Sequence, residues 1–559
     1  MTRSNALQTF LQPLKVDSDT LYRLSYRFSE TYRDLAAGSF DQFFSTATTC
    51  LPTGSEKGRY LAVYLGLHYL RVAFIDLLGE EQVGRRSHVR RTLEKAWPIE
   101  DRLRQDQANS LFAWIGDCIA EVIHDDLENC KDVPSEIAMG ISFCFPIKQE
   151  SVNEAILMPT GKGFALGSSI NLRQALLDGY ECHTRRADED PADVPIKRQK
   201  KYCLPNLKIA VMTNDTISTL ASLAYSIRAL PNARVVMGLI VGAGCNAAVP
   251  MKLADLHESK IGHIKEKEPD AKESVVCTEW TLRGAAAPLQ ELGIRSEWDI
   301  KLEAHSARPG FQPLEYMVGG RYIGELVRII CNDWFHRAKG IPQSSLPVKL
   351  VEEYTLTTDF ISLVVASSHS DEQLAKDLSE KLPAPSSSDW KWTPKYAGYI
   401  RLIAAAVQDR SAALVAAATV GLLACTREIQ LQVRDNLGSP VSELNLDNKI
   451  HERMPSTPSW KNGPEELVVA VSGGVIQHYP HYKETIQRYI DRLIINAGPQ
   501  GDGKSVFLRE ASDGGIIGVG VLAGTVAANI EGIIGSTMKY NVEASGKVKG
   551  TPRSTEGLI

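Results

Sequence analysis

Short apolar runs rich in β-branched residues alternate along this chain with segments whose apolar residues recur at helical spacing. The runs that have the pattern of β-strands are residues 60–65, 137–143, 207–213, 234–241, 361–366 and 466–471. Strands that alternate with helical segments are typical of proteins in which helices cover a sheet. The pattern therefore predicts an α/β fold with mixed sheets.

Apolar residues near the amino terminus also fall at roughly helical spacing; they are Phe10, Leu11, Leu14, Leu21, Leu24 and Phe28. They predict one or two helices with a core-facing side, and the basic-then-apolar layout of a signal peptide is lacking. The most membrane-like run is residues 514–530, which are rich in Gly and Ala and are followed by Glu531. Because this run falls short of about 20 strongly apolar residues, it predicts a packed helix, and we expect no membrane segment.

Polar stretches interrupt the alternating pattern. Residues 181–201 are highly charged, and residues 382–388 read Leu-Pro-Ala-Pro-Ser-Ser-Ser. Both are typical of surface insertions or linkers. Residues 257–273 are also charged and predict a solvated loop or helix between strands.

Composition narrows the class of protein. With 559 residues, the chain is too long for one ordinary core, so we expect two or three domains or one large two-lobed fold. Its 43% hydrophobic content is that of a soluble globular protein, and a net charge of -5 gives no overall attraction to nucleic acid or to anionic membranes. The ten cysteines include no C-x-x-C pair, which disfavours a zinc site or a disulfide framework and favours a reducing compartment. We therefore expect no metal site.

A glycine turn joins two apolar segments within residues 61–72, which read Leu-Ala-Val-Tyr-Leu-Gly-Leu-His-Tyr-Leu-Arg-Val. This segment resembles the first phosphate-binding hairpin of hexokinases, sugar kinases of the actin-like superfamily, which reads roughly L-A-x-D-L-G-G-T-N-x-R-V. Gly66, Arg71 and Val72 match that pattern. Tyr64 stands where the family has its magnesium-associated Asp, and residues 67–69 stand where it has Gly-Thr-Asn.

Further segments resemble hexokinase motifs in the order that the family requires. They are residues 141–149 (family F-x-F-S-F-P-x-K-Q), 161–164 (T-K-G-F), 211–216 (N-D-T after an apolar strand), 238–247 (G-L-I-V-G-T-G-x-N-A), 277–280 (N-T-E-W) and 309–315 (P-G-x-Q-x-x-E). The resemblance extends over about residues 10–535. It implies the two-lobed α/β fold of actin-like ATPases, with a sugar cleft between the lobes.

The resemblance also implies a set of sugar-binding residues, namely Lys162, Asn214, Asp215, Asn246, Glu279 and Glu315. In the family, the Asp that matches Asp215 accepts the proton of the sugar 6-hydroxyl, and general-base help of this kind is typically worth about 10²–10⁴-fold. Cys144, Gly161 and Cys277 depart from the family residues. Two alternatives stay open: a sugar site, or buried polar groups that serve only as hinges and caps.

On the nucleotide side the resemblance is eroded. The degenerate nucleotide-binding positions that it implies are Tyr64, Gly66, Leu67, His68, Gly242, Ala243, Gly244, Ser472 and Gly473. Phosphoryl transfer depends on positioning and charge neutralisation, and Tyr64 lacks the anionic oxygens that a hydrated magnesium ion prefers. Losing one such contact costs about 2.7–4 kcal/mol, so several losses together remove most of the rate. His68 has two alternative roles: it could replace a lost hydrogen-bond donor to phosphate, or it could be a structural or exposed histidine with no ligand.

The charged insertion contains two basic clusters, formed by Arg185, Arg186, Lys197, Arg198, Lys200 and Lys201. Their separation fits a bipartite nuclear import signal, which an import receptor binds through acidic grooves. A merely solvated basic surface is the alternative. The acidic spacer between the clusters would repel phosphates, so we expect no direct binding of nucleic acid.

The resemblance divides the chain into lobes. We expect N-terminal helices that pack on the large lobe (1–56), a small lobe (57–215) with the insertion 181–201, a large lobe (216–509), a segment that returns to the small lobe (510–535) and a C-terminal tail (536–559).

Within the hexokinase fold, the chain resembles atypical proteins of filamentous fungi that are linked to carbon-starvation responses and to control of extracellular proteases. We therefore predict a non-catalytic nuclear regulator that binds a hexose without phosphorylating it, needs no cofactor and acts through an unidentified regulatory protein. One alternative, favoured by the intact Asp215, is a cytoplasmic hexokinase that uses ATP and magnesium to make hexose 6-phosphate. The other is a scaffold with no ligand.

Overall fold

The computed structural model describes residues 3–39, 41–79, 88–105, 108–128, 132–158, 164, 170–184, 202–227, 232–432 and 465–545. The strands are β1 (Phe44–Ser45), β2 (Lys57–Leu65), β3 (Tyr69–Leu78), β4 (Val89–Pro98), β5 (Glu136–Phe143), β6 (Ile147–Ser151), β7 (Glu154–Leu157), β8 (Asn206–Asn214), β9 (Ala233–Val241), β10 (Cys245–Lys252), β11 (Glu273–Cys277), β12 (Glu466–Ser472) and β13 (Ser505–Glu510). The helices are α1 (Arg3–Phe10), α2 (Ser18–Ala37), α3 (Asp101–Gln105), α4 (Ala108–Leu127), α5 (Leu172–Glu181), α6 (Asp215–Ile227), α7 (Glu258–Lys267), α8 (Ala287–Glu291), α9 (Glu297–Ala304), α10 (Pro313–Val318), α11 (Gly320–Asn332), α12 (Val348–Val351), α13 (Thr358–Phe360), α14 (Asp371–Lys381), α15 (Pro394–Cys425), α16 (Gly474–His478), α17 (Tyr482–Ala497) and α18 (Gly514–Ser545).

A five-stranded sheet in the order β4-β3-β2-β5-β8 forms one lobe. β2, β3 and β4 are antiparallel neighbours, whereas β5 and β8 run parallel to β2. Successive residues of a strand point to opposite faces. Leu61 and Val63 therefore pack into a core with α4 and α5, while Ala62 packs into a second core with α6 and α18. Because both faces are covered, β2 is apolar along most of its length instead of alternating.

The other lobe is built on a six-stranded sheet in the order β1-β11-β10-β9-β12-β13. The helices α2 and α15 pack against each other in its core and cross closely at Gly421, where a Cβ atom would lie 2.7 Å from the Cβ of Phe28. Leu24 and Phe28 on α2 are fully buried. The predicted amino-terminal helices with a core-facing side are thus confirmed.

The helices α6 and α18 lie between the two sheets and join the lobes. Their shared core includes Ile75 from β3 of the first sheet and Val235 and Val468 from β9 and β12 of the second. The crossing of the two helices requires glycine at position 518, because a Cβ atom there would lie 1.7 Å from the carbonyl oxygen of Ser218. Since α6 begins directly after β8, this crossing fixes the position of Asp215.

Most of the predicted strands are confirmed, as β2, β5, β8, β9 and β12. The strand predicted at residues 361–366 is wrong, because Ile361–Ala366 forms a π-helical turn after α13. In a strand, Ile361, Leu363 and Val365 would share one face. Ile361 and Val365 are instead fully buried while Leu363 is 70% exposed, as helical spacing dictates.

The charged stretch 257–273, predicted as a solvated loop or helix, contains the helix α7. The apolar run 514–530, predicted as a packed helix, begins α18, which packs against β2 and α6. Within the described residues, α15 is the helix that is long and apolar enough to cross a membrane, a feature that the sequence analysis did not single out. Most of its apolar stretch is buried, against α2, α14 and α17.

Candidate functional site

Asp215 stands where β8 ends and α6 begins, and its side chain is buried. The residue before it, Asn214, holds this junction together. The Asn214 Oδ1 atom accepts hydrogen bonds from the backbone N–H of Thr216 at 3.0 Å and from its hydroxyl at 2.6 Å, as a helix-capping side chain does. Its amide nitrogen donates to the carbonyl oxygens of Phe143 and Phe145, at 3.4 and 3.3 Å. Asn214 therefore has a structural role that ties α6 to the end of β5.

Asn246, Cys277 and Glu279 form a connected group on the other lobe. The Asn246 amide donates to Glu279 Oε1 at 2.8 Å, and the Cys277 thiol donates to the same oxygen at 3.3 Å. Burial, followed by the charges of Glu279 and Asp215, raises the pKa of the Cys277 thiol well above its usual value. The thiol is therefore neutral, and Asp215 lies near enough to this group to influence it.

The backbone of Glu279 adopts the left-handed conformation, with φ of 48°. Non-glycine residues rarely adopt this conformation, and they cluster at functional sites when they do. Here it places a buried carboxylate two residues after the end of β11, beside Asn246. The local strain supports a functional role for Glu279.

Glu315 lies beneath the glycine loop at residues 242–244. Its Oε2 atom accepts a hydrogen bond from the Cys245 N–H at 3.1 Å, and a Cβ atom at Gly244 would lie 2.8 Å from the same oxygen. The loop is also held from α11, because Gly320 and Arg321 donate their N–H groups to the carbonyls of Gly242 and Ala243 at 2.8 and 3.0 Å. Glu315 is therefore buried and fixed in place at the edge of the cleft.

The second glycine segment lies directly against the first. Ser472, the last residue of β12, pairs with Ile240 in parallel register. Gly473 has φ of 114°, and a Cβ atom there would lie 2.6 Å from the carbonyl group of Val241. The structure thus brings together the positions at 242–244 and 472–473 that the sequence analysis grouped as nucleotide-binding.

Tyr64 lies on β2, one residue before the strand ends at the β2–β3 turn. Its ring packs against Gly515 at the start of α18, where a Cβ atom would lie 2.8 Å from the ring carbons, and against Gly66, where the distance would be 3.1 Å. Burial, with a contribution from the nearby Asp215 carboxylate, raises the pKa of the Tyr64 phenol well above its usual value. A neutral aromatic ring therefore fills the space between the hairpin turn and α18, close to Asp215.

His68 lies at the tip of this hairpin, next to Leu67. Its Nδ1 atom is 3.3 Å from Arg104 Nη2, and its carbonyl accepts a hydrogen bond from Ile99 N–H at 2.8 Å. Burial and the Arg104 charge lower the pKa of the imidazole. His68 is accordingly neutral at neutral pH, which favours the structural alternative over a cationic phosphate donor.

Arg71, which matches the family pattern, is neutralised by carboxylates. It forms ion pairs with Glu94 at 2.5 Å and with Asp513 at 2.7 Å. Arg91 pairs with the same two carboxylates at 2.9 and 2.6 Å. Burial works to raise the pKa of Asp513, but Arg71 and Arg91 outweigh it and lower that pKa. The sequence analysis missed Glu94, Arg91 and Asp513 as members of this network.

Some predicted positions lie outside the described residues. They are Lys162 and Gly161 of the candidate sugar site and all six basic residues of the candidate import signal, Arg185, Arg186, Lys197, Arg198, Lys200 and Lys201.

Comparison with known proteins gives consistent matches over nearly the whole chain. Family models described as hexokinase match residues 6–225 and residues 236–525. Hexokinase-2 of Solanum tuberosum is 24% identical over 487 residues, which are 86% of this chain and 82% of that protein. Hexokinase-7 of Oryza sativa subsp. japonica is 25% identical over 480 residues, which are 85% of this chain and 86% of that protein.

The solved structure of the hexokinase from Schistosoma mansoni complexed with glucose has a TM-score of 0.69 to this chain and 22% sequence identity, and the match covers 93% of this chain and 98% of that one. Another hexokinase crystal structure gives a TM-score of 0.62, also at 22% identity. At these identities the structural likeness concerns the fold alone. It confirms the predicted two-lobed, actin-like α/β fold.

Proposed function

Because this chain belongs to the hexokinase family, we propose that it is a regulatory member of that family which binds a hexose in the cleft without phosphorylating it. Phosphoryl transfer needs a magnesium-bound nucleotide held by backbone and charged groups next to the attacking hydroxyl. The proposal therefore depends on how the two ends of the cleft are built.

The observation that carries the proposal is the position of the Tyr64 ring. The ring packs on Gly515 and Gly66 beside Asp215, at the hairpin that binds phosphate in the family. A phenol lacks the carboxylate oxygens that magnesium prefers, and its volume competes with a phosphate group for the same space. Arg71, the nearest matching cation, is already paired with Glu94 and Asp513. The residues at this end of the cleft do not fit a magnesium–nucleotide complex.

The sugar end of the cleft, in contrast, keeps polar groups that suit its proposed ligand. Asp215, Asn246, Glu279 and Glu315 combine buried carboxylates with an amide, and they come from both lobes. Ligand sites typically present a few such groups fixed in position by hydrogen bonds, and polyhydroxylated ligands suit them because each hydroxyl both donates and accepts. This arrangement supports a hexose as the ligand.

Two measurements on the purified chain test the proposal. Calorimetry with glucose, fructose, mannose and glucosamine is expected to give heat of binding with at least one hexose. Incubation of the same protein with ATP, magnesium and that hexose is expected to give no more hexose 6-phosphate than the Asp215→Asn variant gives. Absence of heat with every hexose would favour the scaffold alternative.

A second candidate function is an active ATP-dependent hexose kinase, which the buried Asp215 beside the cleft favours. A carboxylate in this position is a suitable general base for a sugar hydroxyl. Hexose 6-phosphate formation that disappears in Asp215→Asn would establish this function and reject the regulatory one.

The rest of the proposal concerns location and partners. In this proposal an import receptor binds the two basic clusters and carries the protein to the nucleus, where it acts through a protein partner in the carbon-starvation response and in control of extracellular protease production. A fluorescent fusion should accumulate in nuclei, and replacing Lys200 and Lys201 with alanine should abolish that accumulation. Exclusion of the intact fusion from nuclei would refute this part of the proposal without affecting the sugar site.

A further inference from the structure

A cluster of potential metal ligands lies in the small lobe, in the α4 and α5 layer that covers one face of its sheet. It consists of Asp117 on α4 together with Cys182 and His183 at the end of α5. One ligand atom from each residue lies within 4.8 Å of the others, and His183 Nε2 is 2.9 Å from Asp117 Oδ1. We propose that these three side chains form a binding site for zinc.

The packing of the two helices holds the cluster in place. Gly116 on α4 faces Gly179 on α5, and a Cβ atom at either position would lie 2.2 Å from a carbonyl oxygen of the opposite helix. This close crossing is one residue before Asp117 and three residues before Cys182. Asp117 is therefore carried on α4, and Cys182 and His183 lie in the turn that directly follows α5, close to where the two helices cross, which favours a preorganised site.

The chemistry of the three donors suits zinc. A thiolate, an imidazole and a carboxylate are its ordinary protein ligands, and three of them leave a fourth position for water. With Cys182 and Asp117 ionised, their two negative charges balance the charge of the ion. Cys182 is the C-cap residue of α5, and the negative end of a helix dipole also favours a cation.

Zinc binding would require the three ligand atoms, which now lie within 4.8 Å of one another, to adjust their spacing. Tetrahedral zinc, with bonds of about 2.0–2.3 Å, separates its ligand atoms by roughly 3.3–3.8 Å. The nitrogen and oxygen at 2.9 Å must move apart slightly, and the Asp117 side chain has room to do so because it is 57% exposed. His183 is buried at 2% exposure, so its ring is held in place beside Asp117.

The competing explanation is an ion pair that needs no metal. In the absence of zinc, burial lowers the pKa of His183, but Asp117 and Cys182 outweigh it and raise that pKa to about 9, so the imidazole is charged and pairs with Asp117. In this explanation the Cys182 sulfur also forms a hydrogen bond with the imidazole. The ion-pair explanation predicts that the chain binds no metal at this place.

The test is a titration of the full, reduced and tag-free chain with zinc and with cobalt. We expect one tightly bound ion per chain and, with cobalt, the absorption band of a cobalt–thiolate bond. Cys182→Ser should abolish that band, and Cys182→Ser and Asp117→Asn should each weaken zinc binding by at least about 100-fold. Because Asp117 is largely exposed, Asp117→Asn should fold normally, which circular dichroism checks.

Cys203→Ser is the matched control. Cys203 is exposed and precedes Leu204, whose N–H donates to the His183 carbonyl at 2.9 Å, so it is a neighbouring thiol outside the cluster. Cys203→Ser should keep both the cobalt band and the zinc affinity. The proposal is overturned if the wild-type chain binds no stoichiometric zinc, if Cys182→Ser and Asp117→Asn bind it as tightly as wild type, or if the band depends on Cys203 instead of Cys182.

Discussion

Replacement of Glu279 by glutamine tests the sugar end of the cleft directly. The change keeps the shape of the side chain and removes its charge. The Glu279 carboxylate accepts hydrogen bonds from Asn246 and Cys277, and an amide oxygen can still accept from both. The internal packing of this buried residue should therefore survive, and the effect should fall mainly on the ligand.

The expected magnitude follows from the type of hydrogen bond. A bond between a charged carboxylate and a sugar hydroxyl contributes about 1.5–3 kcal/mol. Removing it corresponds to a loss of roughly 10- to 150-fold in hexose affinity.

Calorimetric titration of the wild-type chain and of Glu279→Gln with the same hexose measures the difference. Glu291→Gln is the matched control, because Glu291 is exposed in the same lobe and pairs with Arg27 at 2.9 Å. It should leave hexose affinity unchanged. The reasoning fails if wild type binds a hexose and Glu279→Gln binds it equally well, because the buried carboxylate would then contact no sugar hydroxyl.

The other predictions concern stability. Gly518→Val should lower the free energy of unfolding in thermal melts by about 1–3 kcal/mol or more, because its Cβ would lie 1.7 Å from the Ser218 carbonyl oxygen. The control is Gly262→Ala in α7, where a Cβ atom meets no described atom within 4 Å. In the same melts it should be neutral or stabilising. Asp299→Leu should cost about 3–5 kcal/mol in urea unfolding, because it leaves Arg410 buried without the partner that now lies 2.6 Å away. Burial works to raise the pKa of Asp299, but Arg410 outweighs it and lowers that pKa. The ionised Asp299 should therefore stabilise the fold above about pH 4, and this contribution should be lost as the pH falls through the lowered pKa. If the unfolding free energies of wild type and Asp299→Leu fell equally with decreasing pH, this explanation would be wrong.

The sequence predicted those parts of the site that depend on single segments. Asp215 was placed correctly because it follows an apolar strand and begins a helix, both of which are local features. The glycines at 242 and 473 were grouped correctly because each follows a strand of the same sheet. Lys162 lies outside the described residues, so its predicted role stays a prediction.

Features that depend on distant segments were not predictable. The pairing of Arg71 with Asp513 joins residues 442 positions apart, and neither residue has a neighbouring sequence that indicates the other. The cluster around His183 was missed for the same reason, because Asp117 comes from a separate helix and no C-x-x-C pair marks the position of Cys182. At residues 361–366 an apolar run was short enough to fit either periodicity, and tertiary packing selected the helical one.

Gly473, in the segment that follows β12, is required by backbone packing alone, whether or not the chain binds a nucleotide. A Cβ atom at Gly473 would lie 2.6 Å from the Val241 carbonyl, and one at Gly320 would lie 2.7 Å from the Gly242 carbonyl oxygen. These contacts are internal to the large lobe and constrain its folding with or without a phosphate. The presence of Gly473 therefore gives little support to kinase activity, because packing within the large lobe accounts for it.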